Sequence, residues 1–322
     1  MSVSVVMAVH NGLPYLPQAI DSILRQTYRE LRLIVVDDGS TDASATYLAG
    51  VQDPRLKVVR LPRRSGQGAA RNVGLGRCRS DYVALMDADD LSAPDRLERQ
   101  VRFLERQPSI GLAGTRVEYL GESGKSGFAP PLALEHDQIR ADLLAGRNAL
   151  VNATLMFRAT IIRALGGYRV DATGEDHDLF LRATEMTRAA NLPEVLYLYR
   201  LRGESSSVRE ARALRLRTAH ACENARRRAA GLDESAFDDF VRRQERSRVR
   251  RLLGALDELS AVHYRRALAE ILDGRRADYL RLAAAAVVSP GRLLQRLDRR
   301  LRAARPPAGS GVARLDARGE AR

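Results

Sequence analysis

Tryptophan is absent from this 322-residue sequence, aromatic residues make up only 5% of it, and cysteine occurs twice. Cys78 and Cys222 lie far apart and show no metal-ligand spacing, so neither a disulfide framework nor a zinc site is expected. The longest apolar run, residues 282–288, has seven residues, whereas a membrane-spanning helix needs about 20. The sequence therefore predicts a protein that does not cross a membrane.

The first apolar run, Val3–Val9, has neither the basic flank nor the small-residue cleavage site of a signal peptide. No export is expected, and the scarcity of cysteine fits a reducing compartment. The sequence therefore predicts a cytoplasmic location.

Positive charge is distributed unevenly along the chain. Residues 201–322 contain 28 arginines, no lysine and 16 acidic residues, a net charge of +12, whereas residues 1–200 carry a net charge of only +1. This asymmetry predicts a near-neutral globular part followed by a basic helical part. The basic part either contacts an anionic partner or forms a solvated, arginine-rich bundle.

Short β-branched runs alternate with amphipathic runs at the start of the chain, which is typical of βαβ units. Strands are predicted at residues 3–9, 31–36, 56–61, 82–86, 110–119 and 153–157, and helices at 16–26, 43–50, 69–77, 95–107 and 135–145. Residues 121–131 are rich in Gly, Ser and Pro and are expected to form a loop. The prediction is an α/β protein with a mostly parallel sheet flanked by helices, followed by an all-helical extension over 206–305 and a disordered tail over 306–322.

Asp87 and Asp89 directly follow the predicted buried strand at residues 82–86. Ligands of open α/β sheets bind beyond the carboxyl ends of the strands. Mg²⁺ and similar hard cations take one or two carboxylates there and complete their shell with water and substrate phosphates. The alternative is an acidic loop that merely precedes the helix N-terminus at residues 92–95.

Polar residues also follow the first two predicted strands. Ala8, His10 and Asn11 end the first strand, and Asp38 follows the second. Because adjacent strand ends face one crevice, the Asp38 carboxylate can accept hydrogen bonds from a nucleotide base or ribose. The alternative interpretation of this sequence is a tight turn over residues 37–41 that caps a helix. Both interpretations can hold at once.

Gly66 and Gly68 precede a predicted helix that carries Arg71. Glycines at a helix N-terminus leave backbone N–H groups available to an anion, and Arg71 could reach a phosphate or a base. An ordinary loop-to-helix turn is the alternative. The dinucleotide fingerprint G-x-G-x-x-G is not present, since these glycines follow the third strand and not the first.

The motifs V-V-M-A-V-H-N-G, V-V-D-D-G-S-T-D, G-A-A-R-N-V-G, M-D-A-D-D and G-E-D-H-D-L occur in this order over residues 1–205. Together they resemble the family 2 glycosyltransferases of the GT-A fold, with residues 1–205 as the catalytic domain. The resemblance implies that a nucleotide-sugar donor binds at the first strand-end loops and that Asp87 and Asp89 bind its diphosphate through Mg²⁺ or Mn²⁺. The donor residues predicted from motif and position are Ala8, His10, Asn11, Asp38, Arg71 and Asp87.

Transfer of a sugar with inversion requires one general base that takes the proton of the acceptor hydroxyl. By similarity to the E-D motif of the family, Asp176 is the expected base and Glu175 the second choice. The alternative is that both carboxylates only complement the dipole of the helix that they open. The adjacent His177 is expected on the helix surface, and Arg200 is expected either near the diphosphate or in a plain edge strand.

The resemblance implies an inverting, metal-dependent transfer of one sugar from a UDP-, GDP- or dTDP-sugar to a hydroxyl acceptor, such as a glycan or lipid-linked precursor. Without tryptophan, the Q-x-x-R-W motif of processive synthases cannot be present, so single-residue addition is expected. The main alternative is a nucleotidyltransferase acting on a sugar phosphate, although residues 10–14 lack the cations that such enzymes place after the first strand. A phosphatase with a D-x-D motif and a non-catalytic nucleotide-sugar binding protein are further alternatives.

Leucines and arginines occupy opposite faces of a helix predicted over residues 290–302. This pattern fits an amphipathic helix on an anionic membrane surface, which would make the protein peripheral at the inner face of the plasma membrane. Packing on the catalytic domain or on another subunit is the alternative. Nucleic acid is not expected, because no aromatic residues interleave the arginines.

Overall fold

The structure is a computed structural model that describes residues 1–128, 131–170, 175–201, 211–246 and 248–273. Its strands are β1 (Val3–Val9), β2 (Leu31–Asp37), β3 (Leu56–Arg60), β4 (Tyr82–Asp87), β5 (Leu91–Ser92), β6 (Ile110–Leu120), β7 (Ser126–Phe128), β8 (Met156–Arg158) and β9 (Arg188–Arg200). Its helices are α1 (Leu16–Leu24), α2 (Ser44–Gly50), α3 (Gln67–Leu75), α4 (Arg96–Arg106), α5 (His136–Leu144), α6 (Ala159–Ala164), α7 (Glu175–Met186), α8 (Ala211–Ala229), α9 (Phe237–Arg246) and α10 (Arg248–Leu272).

One sheet contains all these strands in the order β3-β2-β1-β4-β8-β6-β9-β5, with β7 paired to β6. The first four strands are parallel, β8 is antiparallel to both of its neighbours, and β6 and β9 are parallel again. The predicted α/β class, with a mostly parallel sheet flanked by helices, is therefore confirmed. The antiparallel β8 was not predicted, because the apolar pattern of a strand does not specify its partner.

Helices cover both faces of the sheet because side chains alternate between the faces along each strand. On β1, Val5 packs with Ile20 of α1 on one face, while Val6 packs with α3 on the other. Gly74 allows α3 to approach closely, since a Cβ at this position would lie 2.5 Å from Val6 Cγ1. The close packing of α3 on β1 places the beginning of this helix beside the strand ends that form the candidate site.

Two local predictions differ from the structure. The strand predicted over 153–157 begins only at Met156, because Asn152–Thr154 forms a 3₁₀ turn in which the Thr154 hydroxyl donates to Val151 O at 2.8 Å. The loop predicted over 121–131 contains β7, which forms a hairpin with β6. In both places short-range hydrogen bonds define elements that are too brief to show a hydrophobic period.

The C-terminal helices pack onto the sheet domain. Cys222 of α8 belongs to the core that contains α5 and α7, and Leu268 of α10 packs against Tyr199 of β9. No helix within the described ranges has the length and apolar composition needed to span a bilayer. The amphipathic helix predicted over 290–302 and the tail predicted over 306–322 lie outside the described residues.

Candidate active site

Three parallel strands end side by side at one edge of the sheet. Ala8 at the end of β1 is paired with Val36 of β2 on one side and with Asp87 of β4 on the other. The loops that follow β1, β2 and β4 therefore meet at this edge, which is where ligands of α/β sheets bind. The structure brings the predicted nucleotide loops and the acidic pair together.

The loop after β1 is fastened to the loop after β2. One ring nitrogen of His10 lies 2.8 Å from Asp38 O, and the Asn11 N–H donates to Ser40 Oγ at 3.0 Å. Asn11 adopts a left-handed conformation with φ of 54°, and its side-chain oxygen accepts a hydrogen bond from Thr41 N at 2.8 Å. These contacts hold His10 and Asn11 in a fixed loop geometry, while Ala8 is held by the strand pairing of β1.

Asp38 is buried, with 3% of its surface exposed. Its carboxylate accepts hydrogen bonds from Ser65 N at 2.6 Å, Ser65 Oγ at 2.7 Å and Gly66 N at 2.9 Å. These hydrogen bonds use three of the about four acceptor positions of the carboxylate. The turn of the alternative interpretation is present, since Ser40 N donates to Asp37 Oδ1 at 2.9 Å. The helix cap expected with it is not, because Ala43 is the N-cap residue of α2 and no side chain caps this helix.

Arg71 links the acidic motif of β4 to the beginning of α7. Its Nη2 donates to Asp87 Oδ1 at 2.6 Å, and its Nη1 donates to Asp176 Oδ1 at 3.1 Å. The guanidinium is 2% exposed and lies 5.5 Å from the ring centre of Tyr168. Burial alone lowers the pKa of Arg71, but Asp87, Tyr168 and Asp176 outweigh it, so the pKa is raised and the side chain is a permanent cation.

Asp176 is accessible, with 39% of its side chain exposed. Loss of solvent around it raises its pKa, the Arg71 guanidinium lowers the pKa and the Asp87 carboxylate raises it again, with a net upward shift. A carboxylate with a raised pKa is a stronger proton acceptor, as a general base requires. The second predicted candidate, Glu175, is the first residue of α7, and its side chain lies outside the description.

The turn formed by residues 87–90, here called the acidic turn, is held by β9. The Asp87 N–H donates to the Tyr197 hydroxyl at 3.2 Å, Arg200 Nε donates to Asp89 O at 2.7 Å, and the Arg200 N–H donates to Asp90 Oδ1 at 2.7 Å. Burial, together with the Asp89 and Asp87 carboxylates, raises the pKa of Asp90 well above its usual range. Asp90 and Tyr197 were not among the predicted site residues.

The acidic pair is compatible with a cation that arrives together with a phosphate ligand. Within the residues that the structure describes, no group of three or more His, Cys, Asp or Glu side chains forms a complete metal site. Asp87 is 22% exposed and has one oxygen on Arg71. Mg²⁺ commonly takes only one or two carboxylates and obtains its other ligands from water and substrate phosphates, so Asp87 and Asp89 fit this donor set.

His177 lies in the interior and not on the helix surface, so that expectation was wrong. The residue is 6% exposed, one ring nitrogen lies 2.9 Å from Leu143 O, and Cys222 Sγ is 3.5 Å away. Helix α8 covers this face of α7, which the local sequence around His177 does not reveal. Burial lowers the pKa of His177, which favours the neutral ring.

A sequence profile of glycosyl transferase family 2 matches residues 4–162. The O-antigen biosynthesis glycosyltransferase WbnJ of Escherichia coli is 33% identical over 211 residues, which cover 63% of this chain and 81% of WbnJ. These matches define the class of enzyme, a glycosyltransferase. The chain belongs to glycosyltransferase family 2, as its motifs predicted.

Solved structures show the same fold. S. aureus TarS 1–349 in complex with UDP matches with a TM-score of 0.58 and 17% identity, over 90% of this chain and 92% of that 1–349 fragment. The mannosyltransferase PcManGT of Pyrobaculum calidifontis, in complex with GDP-Man and Mn²⁺, matches with a TM-score of 0.54 and 20% identity, over 94% of this chain and 83% of PcManGT. The predicted GT-A fold is thus confirmed.

Proposed function

We propose that this glycosyltransferase moves one sugar from a nucleoside-diphosphate sugar to a hydroxyl acceptor, with inversion and with the help of a divalent cation. The observation that carries the proposal is the pair of ion contacts from Arg71 to Asp87 and Asp176. One buried cation thereby places the proposed diphosphate-binding carboxylate and the proposed base on the two sides of a single site.

The nucleotide would bind across the loops after β1 and β2. Ala8 leaves space for a flat base, the fixed loop of His10 and Asn11 forms the wall, and Asp38 has an acceptor position left for a base N–H or a ribose hydroxyl. UDP in TarS and GDP-Man in PcManGT support a UDP-, GDP- or dTDP-sugar as the donor.

Asp87 and Asp89 would hold Mg²⁺ or Mn²⁺ together with the donor diphosphate. The bound cation would supply neutralisation of the charge that develops on the departing nucleoside diphosphate. The Mn²⁺ in PcManGT supports this assignment. Arg71 orients Asp87 from the protein side through the hydrogen bond to Oδ1, so that the second oxygen of Asp87 can face the ligand.

Asp176 would act on the acceptor. As the acceptor oxygen forms its bond to the anomeric carbon, the Asp176 carboxylate takes the hydroxyl proton. The bond from the anomeric carbon to the phosphate oxygen breaks on the opposite face, and the diphosphate leaves with the electron pair. No second catalytic acid is needed, because the leaving group departs as a stabilised anion.

The acceptor is proposed to be a glycan or lipid-linked precursor of a cell-surface polysaccharide, supported by the role of WbnJ in O-antigen biosynthesis. Residues 1–205 would form the catalytic domain and residues 206–305 a helical extension. The basic extension would allow peripheral contact with anionic lipid at the cytoplasmic face of the membrane.

Release of nucleoside diphosphate from UDP-, GDP- and dTDP-sugars in Mn²⁺ tests this proposal. Asp89→Ala should reduce the release at least about a hundredfold, because the cation loses one of two protein ligands. Asp95→Ala is the control, since Asp95 only forms a surface ion pair with Arg99 just before α4. Release of pyrophosphate from a nucleoside triphosphate and a sugar phosphate would instead establish the nucleotidyltransferase alternative.

A further inference from the structure

Strand β9 binds both ends of the acidic turn. Tyr197 is fully buried at 0% exposure, and its hydroxyl accepts the Asp87 N–H at 3.2 Å. Three residues further along the same strand, Arg200 binds the other end of the turn through Asp89 O and Asp90 Oδ1, each at 2.7 Å. The two ends of the turn are thus attached to one rigid element.

The hydrogen bonds from β9 affect the distance between the Asp87 and Asp89 carboxylates and the directions in which they point. Asp87 is the last residue of β4, whereas Asp89 lies in the turn that follows, outside the strand ladder. Regular sheet pairing therefore fixes the backbone of Asp87 only up to the strand end, and it fixes none of the turn. Together with the hydrogen bond from Arg71 to Asp87 Oδ1, the hydrogen bonds from β9 set the spacing and direction of the two carboxylates.

A water molecule cannot easily replace the Tyr197 hydroxyl. The side chain is enclosed between the sheet and Arg96, whose guanidinium lies 5.3 Å from the ring centre. A partly buried N–H that loses an acceptor is left less well satisfied, so removal of the hydroxyl should cause the turn to move. The same reasoning applies to Asp90, whose carboxylate accepts the Arg200 N–H while 2% exposed.

We propose that Tyr197 and Asp90 are positioning residues that hold the acidic turn in the geometry needed to bind a divalent cation and a nucleoside diphosphate. Neither side chain is assigned a contact with the substrate. This inference rests on the proposed function, in which Asp87 and Asp89 bind the cation and the diphosphate. It adds the reason why this strand carries a buried tyrosine at position 197.

The test compares Tyr197→Phe with Tyr82→Phe. Tyr82 is also buried, at 1% exposure, its hydroxyl accepts from Arg158 Nη1 at 3.4 Å, and its ring centre lies 5.8 Å from the Arg158 guanidinium. It opens β4, at the end of the strand away from the acidic turn. The two variants therefore lose the same atom from similar surroundings, and only one of them affects the turn.

Two measurements test the positioning role of Tyr197 and the proposed function independently of each other. The first is hydrogen exchange of the peptide spanning residues 85–91 in the free enzyme, followed by mass spectrometry; exchange should be faster in Tyr197→Phe than in Tyr82→Phe. The second is calorimetric binding of UDP and of GDP with and without Mn²⁺. Tyr197→Phe should weaken the Mn²⁺-dependent affinity about tenfold, while Tyr82→Phe should not change it.

Asp90 provides a rescue within the same assays. Asp90→Asn keeps an oxygen that can accept the Arg200 N–H and should behave like the wild type, whereas Asp90→Ala should behave like Tyr197→Phe. Equal exchange rates in the two tyrosine variants would overturn the inference. If the wild type binds neither UDP nor GDP with Mn²⁺, the proposed function fails, and the exchange comparison alone then decides whether Tyr197 and Asp90 order the turn.

Discussion

Arg71 and Arg96 are the two least exposed arginines in the described part of the molecule, one at the edge of the sheet and one inside it, and their partners differ. Arg71, at the edge, is 2% exposed and lies between the carboxylates of Asp87 and Asp176. Arg96, in the interior, is fully buried and donates to Ala153 O at 2.8 Å and to Leu85 O at 3.2 Å. The first arginine is neutralised by acids, whereas the second is bound by backbone carbonyls.

The pKa shifts of the two arginines follow from these partners. Burial lowers the pKa of Arg96 to about 10, and the nearby Tyr197 and Asp90 offset this only in part. For Arg71 the carboxylates outweigh burial and raise the pKa. Burial alone therefore does not identify a functional charge. A buried cation between two carboxylates at the ligand-binding edge of a sheet indicates function, while a buried cation bound to backbone carbonyls joins elements of the scaffold.

The largest effect on turnover is expected from substitution of Asp176, the proposed base that Arg71 binds. Asp176→Asn should reduce turnover about 10²- to 10⁴-fold, because an amide cannot take the acceptor proton, while nucleotide binding should change little. Asp178→Asn is the matched control, because Asp178 lies on the same helix but only pairs with Arg182 at 2.8 Å and with Arg169. Steady-state turnover and calorimetric binding of UDP or GDP check this. Equal losses of turnover and of nucleotide affinity in Asp176→Asn would refute its role as base.

A smaller effect on turnover is expected from lysine substitution of Arg71, and it should distinguish Arg71 from Arg96. Arg71→Lys should lower turnover about 10- to 100-fold, because one ammonium group cannot hold both carboxylates in the bidentate geometry of a guanidinium. Arg96→Lys, which keeps a positive charge beside the Tyr197 ring, should reduce turnover much less than Arg71→Lys and lower the free energy of unfolding by about 1–3 kcal/mol through a lost hydrogen bond to a buried carbonyl. Urea denaturation and enzyme kinetics on both variants provide the comparison. The distinction between the arginines would disappear if Arg96→Lys lost as much turnover as Arg71→Lys.

The sequence predicted the strands and helices that carry the candidate site residues, but not the contacts between those residues. The alternation of apolar residues and the motifs placed Asp38, Asp87 and Asp176 at the ends of strands and at the start of a helix, because such signals are local. The Arg71 bridge joins residues 105 positions apart, from Arg71 to Asp176, and depends on how α3 and α7 pack. No local pattern encodes that packing.

The role of Tyr197 was missed for a related reason. In the sequence it is one apolar position of a buried strand, and only the register of β9 against β5 and β6 brings its hydroxyl to the Asp87 N–H. His177 was misplaced because the helix that covers it begins more than thirty residues later, at Ala211. Long-range packing thus accounts for the residues that sequence reasoning did not assign correctly.

The smallest effect on turnover is expected from alanine substitutions at two adjacent glycines, only one of which contacts the residues around Arg71. Gly166 and Gly167 both have positive φ, at 70° and 76°, so alanine is strained at either position. A Cβ at Gly166 meets nothing within 4 Å, whereas at Gly167 it would lie 2.4 Å from Asn72 Oδ1. Asn72 accepts from Tyr168 N at 2.8 Å and donates to Tyr168 O at 2.7 Å, and Tyr168 supports the Arg71 guanidinium.

Gly166→Ala should therefore lower the free energy of unfolding by about 1 kcal/mol and leave turnover unchanged. Gly167→Ala should cost about 1–2 kcal/mol more and reduce turnover severalfold, because displacement of Asn72 shifts Tyr168 and loosens the guanidinium between its two carboxylates. Urea denaturation measures the first quantity and steady-state kinetics the second. If both variants keep full turnover, Asn72 and Tyr168 are not needed to position the Arg71 guanidinium. The contacts of Arg71 with Asp87 and Asp176 would then be sufficient to position it.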